Sequence, residues 1–382
     1  MDFQFTEEQQ QFADALKRWA AKDYAFETRQ KIVLSEAGGS DEAWATLVEL
    51  GMTALPVPEE QGGFNGSAVD LYVVMQELGR ALVVEPYLAT VLGAHCLQLG
   101  GAHADLLAQV AAGELRLACA LGEPQARHDM RDIATTAIAE GDGYVLNGRK
   151  SVVIHGAQAG MLIVSARSHG GQSETDGISL FVVPADAQGV HITQYRTVDG
   201  QRAADILLKD VNVPAAHLIG PAGQGWAVLD AALDYGAGLL CAEAIGALQA
   251  LFDATLEYLK TRQQFGVPIG KFQALQHRMA DMYIHLEQAR SMALLAAVKL
   301  ASENVEERRR AVSAAKYRVG QAIRFVGQQA IQLHGGMGVT NELPAAHYFK
   351  RLTMIELTLG DSDHHLQRFI AHADYSSHSS MQ

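Results

Sequence analysis

Apolar side chains recur at helical spacing through the first third of the chain. Leu16 and Trp19, for example, lie three positions apart and would share one face of a helix. Thr6 followed by Gln9 predicts a capping box in front of this helix, because each residue can satisfy the other's backbone N–H. We therefore predict an N-terminal helical domain over residues 1–115.

The pattern changes in the middle of the chain to short segments rich in β-branched and aromatic residues. Asp142-Gly143 and Asn147-Gly148 are dipeptides typical of tight turns between strands. Several short strands at this spacing favour a barrel or a sandwich, and we predict a central β-barrel over residues 116–220. The predicted strands are Ile133–Ala139, Tyr144–Leu146, Ser151–His155, Leu162–Ala166, Ile178–Val183, His191–Tyr195 and Asp205–Leu208.

Helical spacing returns after Gly220-Pro221 and continues almost to the end of the chain. Four long helices with short connections predict an antiparallel four-helix bundle over residues 221–375, followed by a polar, disordered tail at 376–382. The fold class is therefore mainly α with a β middle domain. The predicted long helices are Trp226–Thr261, Leu275–Leu300, Ala311–Leu333 and Met354–Ile370.

Composition narrows the classes of partner. The 382 residues are 48% hydrophobic and 19% charged with a net charge of −13, which argues against nucleic acid or an anionic membrane as the main partner. No apolar run in the sequence approaches the length of a membrane span. Three widely spaced cysteines predict free thiols in a reducing compartment. The first ten residues lack the features of a signal peptide, so we expect a cytoplasmic protein.

A bend between two predicted helices gathers residues suited to a phosphate-bearing ligand with a flat ring. Lys260, Arg262 and Gln264 stand beside Phe265, just before a turn. Arginine can fork onto phosphate oxygens, glutamine both donates and accepts, and phenylalanine offers a stacking face. The alternative is a solvated helix end whose cations offset the helix dipole. Neither GxGxxG between a strand and a helix nor GxxxxGK[ST] occurs, which argues against a Rossmann or P-loop site.

Two later motifs follow this bend, Phe272-Gln273-Ala274 and Gln332-Leu-His-Gly335-Gly336-Met-Gly338. Together with the bend they resemble the FAD-binding pattern of acyl-CoA dehydrogenases. The resemblance runs from about Phe3 to about Ala371 and is strongest to a bacterial branch containing the small subunit of pimeloyl-CoA dehydrogenase and the unequal partners of heteromeric steroid-degrading enzymes. It implies FAD at a dimer interface of a dimer of dimers, where the bend of one subunit holds its neighbour's cofactor. The residues it assigns to the pyrophosphate side are Arg262, Gln264, Phe265, Gln332 and Gly336. It also assigns FAD binding, on no stated side, to Phe272, Gln273, Leu333 and Gly335.

The flavin-ring side of the family pattern is altered here. The resemblance assigns Leu121 and Gly122 to a segment that ends in Glu-Pro, and Val152 and Ile154 to the segment Lys150–Gly156. The family has tryptophan and threonine where this chain has Val152 and Ile154. The backbone at these positions can still contact a flavin, but their side chains cannot donate hydrogen bonds.

The activity that the resemblance implies is oxidation of an acyl-CoA thioester to its α,β-unsaturated (2-enoyl) form. A glutamate removes the α proton, a hydride passes to the flavin, and the electrons continue to an electron-transfer flavoprotein. In most of the family this glutamate precedes a Gly-Thr or Gly-Ser pair, and the matching position here is Leu359. A smaller group places it before an arginine on an earlier helix, where this chain has Gly236. Neither position can accept a proton, so the catalytic residue is not identified by the resemblance.

Three other carboxylates are candidates for a replacement base. Asp361 and Asp363 follow Leu359 closely, and Glu243 lies two helical turns after Gly236. Asp361 could instead bind a ribose hydroxyl of the cofactor or cap a helix. Asp363-His364-His365 resembles a metal cluster, but adjacent histidines point to different helix faces, so no metal site is predicted.

We therefore predict an FAD-binding subunit that is paired with a paralogous, catalytic acyl-CoA dehydrogenase subunit. Three alternatives remain open: a self-sufficient homo-oligomer that uses an unusual carboxylate base, a structural subunit without its own flavin, and a flavin oxygenase with the same fold. The acyl chain is also open, with dicarboxylyl, branched and sterol side-chain thioesters all compatible with the sequence.

Overall fold

The computed structural model describes residues 5–101 and 103–371. Helices dominate both ends of the described chain, and the predicted capping box of Thr6 and Gln9 is formed. The predicted disordered tail at 376–382 lies outside the described residues. The described α-helices are α1 (Glu7–Asp23), α2 (Phe26–Leu34), α3 (Asp41–Glu49), α4 (Ala68–Arg80), α5 (Tyr87–Gly100), α6 (Ala104–Ala111), α7 (Trp226–Thr261), α8 (Gln273–Lys299), α9 (Val305–His334), α10 (Pro344–Leu357) and α11 (Ser362–Ile370).

The middle of the chain forms one mixed sheet of eight strands. The order along the sheet is β6-β7-β3-β2-β4-β5-β8, and β1 pairs with β4 in parallel. Its buried core includes Leu162, Val164, Phe181 and Ile206. The predicted fold class, mainly α with a β middle domain, is confirmed. The strands are β1 (Leu117–Ala120), β2 (Thr136–Glu140), β3 (Gly143–Ile154), β4 (Met161–Arg167), β5 (Ile178–Pro184), β6 (Val190–Arg196), β7 (Arg202–Pro214) and β8 (Leu218–Ile219).

The predicted turn at Asn147-Gly148 is wrong, because β3 continues through it. A register shift between Leu146 and Gly148 in the pairing with β7 absorbs the irregularity. A Cβ on Gly148 would lie 2.3 Å from Thr135 Oγ1, so close packing explains this glycine better than turn formation. The Asn147 side chain donates to Asp210 Oδ1 (3.1 Å) and thereby joins β3 to β7.

The predicted single helix from Met354 to Ile370 is also wrong. The structure has α10 and α11, joined by the residues 358–361 that we call the α10–α11 connection. Leu359 and Gly360 have φ values of 55° and 100°, which a right-handed helix cannot accommodate. Asp361 then caps α11 by accepting from the His364 N–H (2.8 Å). The apolar residues keep helical spacing across this break, so their periodicity does not reveal it.

Helix α7 has the predicted bounds, but it contradicts the prediction that no apolar run approaches the length of a membrane span. It is long and apolar enough to cross a membrane by length and composition. However, 67% of its most apolar window is buried inside the protein, as in the core helix of a soluble domain. Burial on several faces explains why apolar residues cover so much of its surface.

The chain forms two compact units, and the boundary between them falls inside α7, after Gly236. Unit 1 contains Ser67–Val83 and the described parts of Met1–Lys31 and Ala237–Gln382. Unit 2 contains Ile32–Gly66 and Val84–Gly236, and therefore holds the β-sheet. The positions that the resemblance assigns to the FAD phosphates fall in unit 1, and those assigned to the flavin ring fall in unit 2.

Within unit 1, glycines bring α4 and α7 into backbone contact. A Cβ on Gly79 would lie 2.0 Å from the carbonyl oxygen of Glu243, and one on Gly246 would lie 1.7 Å from that of Gln76. Any larger residue would force the two helices apart. This contact fixes the segment of α7 that leads to the predicted phosphate-binding bend.

Candidate FAD site and catalytic position

A small hairpin turns the chain between α7 and α8. The two-residue strands β9 (Gln263–Gln264) and β10 (Val267–Pro268) pair antiparallel. Phe265 and Gly266 form the turn with φ values of 54° and 77°, as in a type I′ turn. This conformation is strained for phenylalanine, and it leaves the Phe265 side chain 89% exposed.

Six of the nine FAD-binding residues predicted from the bend and the two later motifs line one pocket of about 570 Å³ beside this hairpin. We call it the corner pocket. Its size is within the range of small-molecule sites. The predicted residues in its lining are Arg262, Gln264, Gln332, Leu333, Gly335 and Gly336, and the others are Tyr258, Ile269, Leu275, Arg278, His334 and Met337.

The corner pocket is cationic. Arg262 and Arg278 line it, and no aspartate or glutamate does. Arg278 donates to the neutral side-chain oxygen of Gln329 (Nη1–Oε1, 3.1 Å). Across the described ranges 5–101 and 103–371, neither guanidinium forms an ion pair. Two uncompensated guanidiniums therefore favour an anionic ligand here.

The end of α9 forms one wall of the corner pocket. The ring of His334 stacks on Tyr258, with 4.5 Å between the centroids, and its Nδ1 donates to the carbonyl oxygen of Ala330 (2.8 Å). Gly335 follows with φ 59°, where glycine is favoured. A Cβ on Gly336 would meet no other atom within 4 Å, so its backbone is open to a ligand. His334 is thus held by one hydrogen bond and one ring contact in this wall.

Three of these nine predicted FAD-binding residues do not line the corner pocket. The ring centroids of Phe265 and Phe272 lie 6.0 Å apart in an edge-to-face arrangement, and both residues are exposed. Gln273 is the first residue of α8 and is exposed. Their assignment to FAD stays a prediction.

Sequence reasoning missed Arg278 and Tyr258, although a signal for both was present. Tyr258 precedes Arg262 by four residues, one helical turn before the end of α7, and Arg278 follows Leu275 by three residues on α8. Projecting the predicted helices on either side of the bend would have placed both residues beside the motif.

The segments predicted for the ring side do come together within unit 2. The backbone N–H of Ser151 donates to the carbonyl oxygen of Gly122 (2.9 Å), which joins the segment after β1 to β3. Leu121 is buried, Ile154 is half-buried, and Val152 is 53% exposed. Val152 has φ 53° at a second irregularity in the pairing of β3 with β7.

The N–H of Val152 is already occupied. It donates to Asp205 Oδ1 (3.3 Å), and Asp205 also accepts from Arg149 Nη2 (2.7 Å) and the Tyr195 hydroxyl (3.1 Å). These bonds lower the pKa of Asp205, chiefly through Arg149. The carboxylate is therefore a stable acceptor, and it engages the backbone N–H of Val152.

A buried ion pair supports the same segment. Lys150 Nζ lies 2.7 Å from Glu123 Oε1 and 3.4 Å from the carbonyl oxygen of Leu121. Burial opposes ionisation of Glu123, but Lys150 and hydrogen bonds from neighbouring groups outweigh it and lower the pKa of Glu123 to about 2. The pair therefore holds Leu121 and Gly122 against the sheet.

The α10–α11 connection is held by a buried lysine. Lys316 on α9 is 2% exposed, and its Nζ donates to the carbonyl oxygens of Ile355 (2.9 Å), Glu356 (3.0 Å) and Gly360 (2.7 Å). The first two belong to the last turn of α10, which has no intrahelical partners for them. Burial lowers the pKa of Lys316 to about 8, so it remains charged at neutral pH.

His365 holds Leu359 within this connection. Its Nε2 donates to the carbonyl oxygen of Leu359 (2.9 Å), while burial and the nearby Lys316 lower the pKa of His365 to about 2. The neutral ring and the lysine together maintain the left-handed backbone of Leu359, whose side chain carries no ionisable group.

The three carboxylates considered as replacement bases are otherwise engaged or exposed. Glu243 is buried and forms a two-point ion pair with Arg351 (2.6 and 2.8 Å). Asp361 caps α11, as one of its two predicted roles required, and Asp363 is exposed in the first turn of that helix. No group of three or more potential metal ligands occurs in the part of the chain that the structure describes.

Comparison with known proteins identifies the family. The profiles of the N-terminal, middle and C-terminal domains of acyl-CoA dehydrogenases match residues 6–114, 118–211 and 223–373. The chain belongs to the acyl-CoA dehydrogenase family. It is 34% identical over 380 residues to YngJ of Bacillus subtilis (strain 168), named as a probable acyl-CoA dehydrogenase, and the match covers 97% of this chain and 98% of that one.

Two solved structures of similar proteins carry the names of subunit pairs. One is a variant of the Tcur3481-Tcur3483 steroid ACAD, with a TM-score of 0.87, 30% identity and coverage of 98% of this chain and 99% of that chain. The other is the ChsE4-ChsE5 complex from Mycobacterium tuberculosis, with a TM-score of 0.87, 26% identity and full coverage of both chains.

Acyl-CoA dehydrogenases are flavin-dependent oxidoreductases that bind FAD. The donor set of the corner pocket fits the pyrophosphate of this cofactor, because two guanidiniums, two glutamine amides and a glycine backbone surround a space without carboxylates. On the ring side, Val152 and Ile154 lack polar side-chain atoms, and the N–H of Val152 is bonded to Asp205. The fit is therefore good on the phosphate side and poor on the ring side.

Proposed function

We propose that this protein is the FAD-binding, non-catalytic subunit of a heteromeric acyl-CoA dehydrogenase. It pairs with a paralogous subunit, and its corner pocket holds the phosphates of the cofactor that the partner uses. The assembly is a dimer of dimers that oxidises an acyl-CoA thioester to the 2-enoyl thioester and passes electrons to an electron-transfer flavoprotein. The three free cysteines support a reducing, cytoplasmic location.

The observation that carries the proposal is the α10–α11 connection. Lys316 and His365 hold its backbone in place, yet Leu359 stands where most of the family has the base glutamate. A leucine side chain cannot accept the α proton of a thioester. The connection therefore keeps an ordered shape without the group needed for proton abstraction.

The remaining carboxylates support the same conclusion. Arg351 holds both oxygens of Glu243, so proton transfer to Glu243 would leave a buried guanidinium with a neutral partner. Asp361 accepts the hydrogen bond that starts α11. Gly236, at the second family position for the base, has no side chain. A self-sufficient enzyme could recruit Glu243 or Asp361 as its base only by breaking one of these arrangements.

In this proposal the chain's own residues bind and orient. FAD, when bound, accepts the hydride from the β carbon of the thioester. Arg262 neutralises phosphate charge, Gln264 and Gln332 donate to phosphate or sugar oxygens, and the open backbone at Gly336 allows close approach. The base and the polarisation of the thioester oxygen come from the partner. The ChsE4-ChsE5 complex supports pairing of unequal subunits, because a protein of the same fold is solved as such a complex.

The test is turnover with and without a partner. We expect the chain purified alone to oxidise straight, branched, dicarboxylyl and sterol side-chain acyl-CoA at least roughly 100-fold more slowly than the complex with its paralogue, since a general base contributes about that factor or more. Ferrocenium reduction measures the rate. Rapid oxidation by the chain alone would disprove the proposal.

A matched variant of the complex separates the two subunits' roles. Replacing the paralogue's own base glutamate with glutamine should abolish oxidation by the complex. If the complex stays active, this chain supplies a base and the self-sufficient alternative is correct.

Arg262→Ala should lower the flavin content of the assembly several-fold, because the pyrophosphate would lose a charge-assisted hydrogen bond worth about 1.5–3 kcal/mol. Absorbance of released FAD per mole of complex measures this. Lys271→Ala removes an exposed cation near the hairpin that does not line the corner pocket, and it should retain full flavin content. Equal flavin content in the Arg262→Ala and wild-type assemblies would refute the role of Arg262.

A further inference from the structure

We propose that Arg278 is a second phosphate ligand in the corner pocket and that the Arg262–Arg278 pair makes the pocket selective for a diphosphate over a monophosphate. The inference rests on the proposed function, because it concerns the same pocket. It goes beyond that function by assigning a residue outside the recognised motif and by defining the ligand class that this chain can bind without its partner's catalytic residues.

The two guanidiniums reach the corner pocket from different elements. Arg262 directly follows α7, and Arg278 lies in the second turn of α8, on the other side of the hairpin. The hairpin is anchored to Arg262 by the N–H of Ile269, which donates to the carbonyl oxygen of Arg262 (2.9 Å). A fixed turn therefore brings the two arginines, which are separated along the chain, to the same pocket.

The contact of Arg278 with α9 orients its side chain without cancelling its charge. Gln329 Oε1 accepts from Nη1 of Arg278 at 3.1 Å, and an amide oxygen is neutral. Arg278 also has four further N–H donors, which this bond leaves available for an anion. Gln329 precedes Gln332 by three residues, so the same face of α9 carries the amide that orients Arg278 and one that lines the pocket.

Charge in the pocket then favours two phosphates over one. The whole chain carries −13, yet this pocket has two positive groups and no lining carboxylate. Two like charges facing one space repel each other until a ligand neutralises both. A diphosphate such as the ADP portion of FAD can bridge both guanidiniums, whereas a monophosphate contacts both less well. Loss of Arg278 should therefore remove the preference for the second phosphate.

The experiment uses the full-length chain freed of flavin, titrated calorimetrically with ADP and with AMP at fixed ionic strength. We expect the wild-type protein to bind ADP at least roughly tenfold more tightly than AMP, since one charge-assisted hydrogen bond is worth about that factor or more. Arg278→Gln should weaken ADP binding by a similar factor, leave AMP binding nearly unchanged and reduce the salt dependence of ADP binding. Lys271→Gln is the matched control and should keep the wild-type affinities.

Two results would overturn the inference. One is equal affinity of the wild-type protein for ADP and AMP, or binding of neither. The other is an Arg278→Gln variant that binds ADP as tightly as wild type while its circular dichroism is unchanged. None of these titrations depends on turnover. Oxidation by the chain alone would therefore disprove the proposed function while leaving the diphosphate preference intact. Equal affinity for ADP and AMP in a chain that does not oxidise acyl-CoA alone would disprove only this inference.

Discussion

Lys316→Met should lower the free energy of unfolding by about 3 kcal/mol or more, because methionine leaves three buried carbonyl oxygens without a donor. Ile355 and Glu356 would lose the cation that caps the end of α10, and Gly360 would lose its contact in the α10–α11 connection. Urea unfolding followed by circular dichroism measures the change. A midpoint equal to that of the wild-type protein would contradict the role assigned to this lysine.

Lys316→Met should loosen the α10–α11 connection under conditions in which the rest of the protein is still folded. Amide hydrogen exchange at residues 358–361 should accelerate under conditions in which the variant is still folded, since the connection loses its main anchor. Lys271→Met, which changes an exposed lysine in the same way, should shift stability by no more than about 0.5 kcal/mol. Unchanged exchange at 358–361 would show that His365 alone holds the connection.

Lys150→Met should be comparably destabilising, by roughly 3–5 kcal/mol, because it leaves Glu123 as a buried carboxylate without its cation. The double variant Lys150→Met/Glu123→Leu should recover part of this loss, since it removes both charges. Urea midpoints of the single and double variants measure the coupling. Additive effects of the two substitutions would contradict a direct ion pair.

The same pair predicts how stability depends on acid. The pKa of Glu123 is about 2 in the folded protein, whereas its ordinary value is 4.5. As the pH falls, Glu123 therefore takes up a proton in the unfolded chain before it does so in the folded protein. The stabilising contribution is complete above pH 4.5 and is lost as the pH falls towards 2. Urea midpoints between pH 3 and 6 should decrease less steeply towards low pH in Glu123→Gln than in wild type.

The sequence predicted the fold class because each part of it rests on a repeated local pattern. Apolar spacing along α7 gave its bounds, and the Thr6–Gln9 pair gave the start of α1. The break at Leu359 was missed because two residues with positive φ, Leu359 and Gly360, leave the apolar periodicity intact. The false turn at Asn147-Gly148 has the opposite cause, since the glycine there accommodates Thr135 rather than a reversal of the chain.

Some residues of the candidate site could likewise be predicted from the sequence, and others could not. Arg262, Gln264 and Gln332 could be predicted because they lie in short motifs, and they line the corner pocket. Lys316 could not be predicted, because its partners are backbone carbonyls about forty residues further along the chain. Every residue has a backbone carbonyl, so the sequence carries no signal for these partners. The bond between Val152 and Asp205 was equally hidden, since it depends on an irregularity in strand pairing.

The glycine contact between α4 and α7 bears on how this protein can be recombined with its relatives. Gly79 on α4 and Gly246 on α7 allow the backbones of the two helices to pack against each other. The short segment around α4 and the long segment after residue 237 must therefore come from the same parent protein. A chimera joined at the boundary between the second and third sequence domains would bring together helices from different parents at this contact. Exchange of Ser67–Val83 together with everything after Gly236 would transplant the corner pocket with its native support.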